Sequence, residues 1–171
     1  MNFLKEDFRH KARCFYGTSD FKKISRVMLT DGSSAMIFYR LNQFFEKIKL
    51  GFLGWIFLEL NKILNGCAIG RKAEFGLGFV IMHSQGIVVN SGVRGGKNIV
   101  LESGVVIGAA RHGLPVEVPC LGDDIFIGSG AKILGAVRVG NRVKIGANAV
   151  VVKDVPDGST VVGVPGQIVK K

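Results

Sequence analysis

A chain of 171 residues, 47% of them hydrophobic, supplies core for one domain with a small appendage. Its formal net charge of +10 suits an anionic partner: nucleic acid, a membrane surface or a phosphorylated cofactor. No motif interleaves basic and aromatic residues, which argues against nucleic acid, and Cys14, Cys67 and Cys120 have neither metal-ligand spacing nor an even count, as expected of reduced thiols in a cytoplasmic protein.

Residues 1–20 are mixed and charged. Lys5, Glu6, Asp7, Arg9 and Lys11 rule out a signal peptide, and His10 reads as a solvated surface residue. Tyr16-Gly17-Thr18-Ser19-Asp20 predicts a turn, followed by a short helix over Phe21–Leu29 that breaks at Asp31-Gly32. Ser33 or Ser34 can then cap a helix with Ile37, Phe38, Leu41, Phe44, Phe45 and Ile48 on one face. Another follows with Phe52, Leu53, Ile56, Phe57, Leu60, Ile63 and Leu64, ending near Asn65-Gly66. Such apolar faces pack on each other, on the following segment or on a neighbouring subunit. The other reading is peripheral membrane contact, aided by Lys47, Lys49, Lys62, Arg71 and Lys72. The longest apolar run, Gly51 to Leu60, is half the length of a membrane span.

From Ile69 the period changes to six. Ile69, Phe75, Ile81, Ile87, Val93, Ile99 and Val105 form one run; Leu121, Ile127, Ile133, Val139, Ile145 and Val151 form another. A period of six fits neither a helix nor an open sheet, and predicts hexapeptide repeats stacked as a parallel β-helix, with three hexads to a triangular coil. The fold class is therefore mainly β, with a short N-terminal α-helical segment over residues 1–66 and the β-helix over residues 67–171. Val105 to Leu121 spans sixteen residues where two hexads need twelve, so four extra residues form a loop near 110–120. After the Asp154-Val155-Pro156-Asp157-Gly158 turn, Val162-Gly163-Val164-Pro165 is expected to fold back along the last coil.

Few residues offer chemistry. His83 stands beside an inward position, and an imidazole on a rigid coil can serve as general base toward a hydroxyl; the other reading is a histidine with no task. In the loop, Arg111, His112 and Glu117 either meet a substrate or are solvated, and Glu117, Asp123 and Asp124 form no evident metal site. Lys132, Arg138 and Lys144 share the sixth hexad position, with Lys153, Lys170 and Lys171 near the close, and either line a phosphate-binding groove or form a solvated row.

Gly78-Phe79-Val80-Ile81-Met82-His83, Gly86-Ile87-Val88-Val89, Ile127-Gly128-Ser129-Gly130-Ala131-Lys132-Ile133-Leu134-Gly135, Lys144-Ile145-Gly146-Ala147 and Val162-Gly163-Val164-Pro165 carry a resemblance. Residues 67–171 resemble the serine acetyltransferase group of hexapeptide-repeat acyltransferases, and the helices before them, including Arg40, are similar to the last part of that group's helical domain. The resemblance implies a left-handed β-helix, a homotrimer with its donor groove between subunits, and acetyl-CoA as acyl donor without a metal. It gives His83 the place of the principal catalytic histidine and puts Gly108, Ala109, Ser129, Gly130, Lys144 and Ala147 where coils meet CoA.

Departures from the group bear on the acceptor. Met82 stands where the group has an aspartate, and Glu117-Val118-Pro119 where it has Arg-His-Pro, unless Arg111-His112 restores that pair. Gly166-Gln167 replaces the closing Ala-Arg, with Lys170 or Lys171 as a substitute for the lost cation. A glutamate in place of a carboxylate-binding arginine disfavours serine. The resulting expectation is an O-acetyltransferase acting on a small-molecule or lipid-linked sugar of polysaccharide or glycan biosynthesis, in the cytoplasm or at the inner membrane face. The alternatives are a serine O-acetyltransferase of cysteine biosynthesis and a non-catalytic β-helix scaffold.

Overall fold

The computed structural model describes residues 2–111 and 117–170. Four helices come first: α1 (Asn2–Tyr16), α2 (Phe21–Val27), α3 (Ser33–Lys47) and α4 (Gly51–Asn65). Short strands numbered in chain order then wind round three faces. The first face carries β1 (Ala68–Ile69), β4 (Val88–Val89), β7 (Val106–Gly108), β10 (Lys132–Leu134) and β13 (Val150–Val151). The second carries β2 (Glu74–Phe75), β5 (Arg94–Gly95), β8 (Cys120–Leu121) and β11 (Arg138–Val139). The third carries β3 (Val80–Ile81), β6 (Val100–Leu101), β9 (Phe126–Ile127), β12 (Lys144–Ile145), β14 (Thr160–Val162) and β15 (Gln167–Lys170). All pairings between these strands are parallel except β14 with β15, where the closing segment folds back as expected.

Most hexads bury two positions, two residues apart: Ala73 and Phe75, Phe79 and Ile81, Ile87 and Val89, Ile99 and Leu101 are representative pairs. This corrects the apparently unbroken first run. Ile69, Phe75 and Ile81 lie on strands, whereas Ile87, Val93, Ile99 and Val105 are the corner residues that precede strands. The ladder makes the slip visible. Twenty residues separate Ile69 from its partner Val89, against the eighteen that separate Ile133 from Val151. The two extra residues fall in the turn after β3, around His83. The later excursion is also larger than expected: fourteen residues lead from Ile107 to Leu121, the inward residues of consecutive strands, where a hexad needs six.

The helices close the open end of the β-helix. N–H groups of one coil donate to carbonyls of the next, as from Ala68 to Ile87, Glu74 to Val93 and Val80 to Ile99. The carbonyls of the first coil therefore need donors from elsewhere, because a buried unpaired carbonyl is costly. α3 provides them. Tyr39 Oη donates to Ala73 O (3.1 Å), Asn42 Nδ2 to Arg71 O (3.1 Å), and the Arg40 guanidinium to Phe75 O (2.8 Å) and Gly76 O (2.6 Å). Hence α3 buries Ser33, Ala35, Met36, Tyr39, Arg40 and Asn42, not the face its apolar pattern predicts, and Phe44 and Ile48 are exposed. α4 likewise buries Gly54, Leu58, Asn61 and Asn65 and leaves Phe52, Leu53, Ile63 and Leu64 exposed. Neither Ser33 nor Ser34 caps α3; Gly32 occupies that position, and Ser33 Oγ instead donates to Val27 O. α4 ends at Gly66 in the left-handed conformation, as predicted.

α1 is a further departure from the sequence reading, and His10 is a half-buried residue whose ring bonds to the Gly78 carbonyl. Phe8 and Ala12 join the core, while Asp7 and Lys11 are buried beside them and find polar partners. Lys11 Nζ donates to the Asp31 carbonyl and, at 2.9 Å, to Ser33 Oγ. Burial pushes its pKa down to about 8, against a smaller upward pull from the Asp31 charge. An unfolded lysine keeps its ordinary value of 10.5, so between these limits the unfolded chain binds more protons and the fold gains stability as pH rises. Urea midpoints measured from about pH 7 to about pH 10 should therefore rise, and the rise should shrink in Lys11→Met.

Candidate active site

Ile81 points into the core at the end of β3, and the chain must then turn onto the first face. The two extra residues widen this turn: Met82 is half-buried, the His83 side chain is 57% exposed and Ser84 is buried. Against it lies the turn between α2 and α3. Gly32 has φ +75°, and a Cβ there would stand 2.3 Å from the Ile81 carbonyl oxygen, so only glycine lets that turn approach the coil.

The approach brings Asp31 to His83, with Oδ2 3.0 Å from Nδ1. Its Oδ1 accepts from Gly32 N (2.6 Å) and Ser84 Oγ (3.2 Å). Partial burial acts to raise the Asp31 pKa. The hydrogen bonds from His83, Gly32 and Ser84 outweigh it and hold the carboxyl below its ordinary value. The sequence reading missed Asp31 altogether, taking it only as part of a helix break. Asp-Gly signals the turn, but nothing local links it to a histidine 52 residues later.

The edge that begins at His83 continues along the β-helix through the turns after β6, β9 and β12. Gly86, Gly104 and Gly130 stack there with φ +74°, +67° and +71°, and Cβ atoms on the first two would lie 3.4 and 3.5 Å from the next glycine's Cα. This leaves a strip of three stacked glycines along the edge. Backbone bonds from Gly104 N to Gln85 O, Gly130 N to Ser103 O and Asn148 N to Ser129 O hold it in register.

The structure brings some expected residues together and separates others. Ser129, Gly130 and Ala147 lie on the His83 edge, whereas Gly108 ends β7 and Ala109 follows it at the opposite edge of the first face, and Lys144 is exposed on the third. Arg111 and Glu117 are exposed in the excursion between β7 and β8, also away from the His83 edge; His112 falls outside the described residues. The lysine-arginine row does not form. Lys132, Arg138 and Lys144 fall on the first, second and third faces, because equivalent positions meet only after three hexads. Among the described residues, no helix is long and apolar enough to cross a membrane.

Residues 121–153 match the family described as bacterial transferase hexapeptide (six repeats). The serine acetyltransferase of Helicobacter pylori is 35% identical over 145 residues, which are 85% of this chain and 85% of that protein. The crystal structure of Neisseria gonorrhoeae serine acetyltransferase superposes with a TM-score of 0.85 at 30% identity, over 98% of this chain and 64% of that one. A serine acetyltransferase solved in complex with CoA has a TM-score of 0.82 at 27% identity, over 96% of this chain and 68% of that one. The coils share the left-handed sense of these neighbours. The chain belongs to the serine acetyltransferase family of hexapeptide-repeat proteins, acyltransferases that draw their acyl group from acetyl-CoA.

Proposed function

We propose that this chain moves an acetyl group from acetyl-CoA to a hydroxyl, with His83 as general base. The observation that carries the reading is an exposed imidazole, paired with a carboxylate, at the head of an edge lined by three stacked glycines. The ring nitrogen takes the hydroxyl proton as the oxygen attacks the thioester carbon. The C–S bond then breaks, and the imidazolium returns the proton to the departing CoA sulfur. The scaffold reading is set aside on family membership.

Ser129, Gly130 and Ala147 serve as donor contacts on the His83 edge, with Gly108, Ala109 and Lys144 completing them from elsewhere on the coil surface. Their spread over two edges and a third face favours a groove between copies of the chain. This supports a homotrimer in which an isolated protomer is inactive.

For the acceptor, family membership supports serine over the sugar expected from the sequence. The sugar is kept as a second reading on one observation: Met82 and Glu117 stand where the group has an aspartate and an arginine. A lipid-linked acceptor and membrane contact rest only on the exposed apolar side chains of α3 and α4 and their neighbouring lysines. Purified protein given acetyl-CoA with L-serine, and in parallel with free and lipid-linked sugars, distinguishes these by CoA release and product mass. Turnover of serine supports the first reading and turnover of sugars alone the second. Turnover of neither overturns the proposal.

A further inference from the structure

We propose that the turn between α3 and α4 docks this protein on the surface of an anionic lipid bilayer. Because α3 uses polar side chains to close the first coil, most of its apolar side chains are left outside the core. Phe45 is covered by α4, its ring stacked on that of Phe57 with centroids 5.6 Å apart. Phe44 and Ile48 are exposed, and the chain goes on to expose Leu50, Phe52 and Trp55. Phe52 is 71% exposed and stacks on Trp55 with ring centroids 6.1 Å apart. Backbone bonds from Ile48 N to Phe44 O, Lys49 N to Glu46 O and Leu50 N to Phe45 O keep the turn compact, so these side chains form one patch.

Charge selects what covers it. Lys47 and Lys49 are exposed within the patch, and among the described residues neither joins an ion pair. The nearby acids are neutralised, Glu46 by Arg71 and Glu59 by Lys62. The charge left over is therefore positive. A second copy seated on the same patch by two-fold symmetry would set lysines against lysines, which opposes that contact. A bilayer with anionic headgroups supplies the opposite charge, and its interface accepts aromatic rings at headgroup depth while the ammonium groups reach the phosphates. Docking of this kind needs no spanning helix. It also stands apart from the choice of acceptor, since the bilayer holds the protein whether serine or a sugar is acetylated.

The test mixes the full chain, without substrates, with vesicles of phosphatidylglycerol and phosphatidylcholine or of phosphatidylcholine alone. Binding is read by co-sedimentation and by the fluorescence of Trp55, the single tryptophan of the chain. The expected result is binding to the anionic vesicles that weakens with salt, with Trp55 emission shifting to the blue as the ring leaves water. Lys47→Gln with Lys49→Gln should weaken that binding about 25-fold, about fivefold for each lysine, and Phe52→Ser about tenfold. All three side chains are exposed, so the variants should keep the fold. Absence of binding to the anionic vesicles, binding that leaves Trp55 emission unmoved, or a double lysine variant that binds like wild type overturns the proposal. So does a Phe52→Ser variant of smaller mass than wild type by light scattering, which would give the patch to another copy of the chain. Because acetyl transfer is not measured, failure of the proposed function leaves this result standing.

Discussion

His83→Ala is expected to slow acetyl transfer by about 10³-fold, within the roughly 10²–10⁴ that a positioned general base contributes. The loss should fall on kcat, since the proposed role of the imidazole is on the acceptor proton, while the proposed donor contacts Ser129, Gly130 and Ala147 lie farther along the edge. Stability should hardly change. The side chain is 57% exposed, so truncation opens no cavity, and substitutions of that kind usually stay within about 0.5 kcal/mol. Measuring CoA release against acetyl-CoA concentration, together with the urea midpoint, separates the two quantities. Undiminished transfer by a folded His83→Ala would remove the histidine from the reaction.

Arg40→Ala should instead unfold the protein far more readily, by about 3–5 kcal/mol, the usual cost of leaving a buried charge without its partner. The Arg40 and Asp7 side chains are 4% and 0% exposed, with Nε 2.7 Å from Oδ2. Asp7 also accepts from Phe79 N at 2.9 Å, and the guanidinium lies 4.8 Å from the centre of the Phe3 ring. Truncation at residue 40 strands the Asp7 carboxylate and uncaps the carbonyls of Phe75 and Gly76 on the first coil. Urea unfolding reads the loss directly, and a change below about 1 kcal/mol would contradict this account of the pair. Replacing both partners, as Asp7→Asn with Arg40→Met, should cost less than Arg40→Ala alone, because no unpaired charge remains.

The sequence by itself determined the β-helix, because every coil needs inward apolar residues at a fixed step, and that demand is written as a period of six. It also determined the end of α4 at Gly66 and singled out His83 beside an inward position. The slip at His83 was illegible for a physical reason: each hexad has two inward positions two residues apart, so a shift by two moves the count from one apolar site to the other. α1 and the buried face of α3 were hidden because an open coil end requires polar donors as well as apolar cover, which an amphipathic pattern does not register. Only the tertiary structure decided that Lys132, Arg138 and Lys144 part onto three faces and that Asp31 meets His83. Both results come from coiling and helix docking, which set spatial neighbours by stacking rather than by distance along the chain.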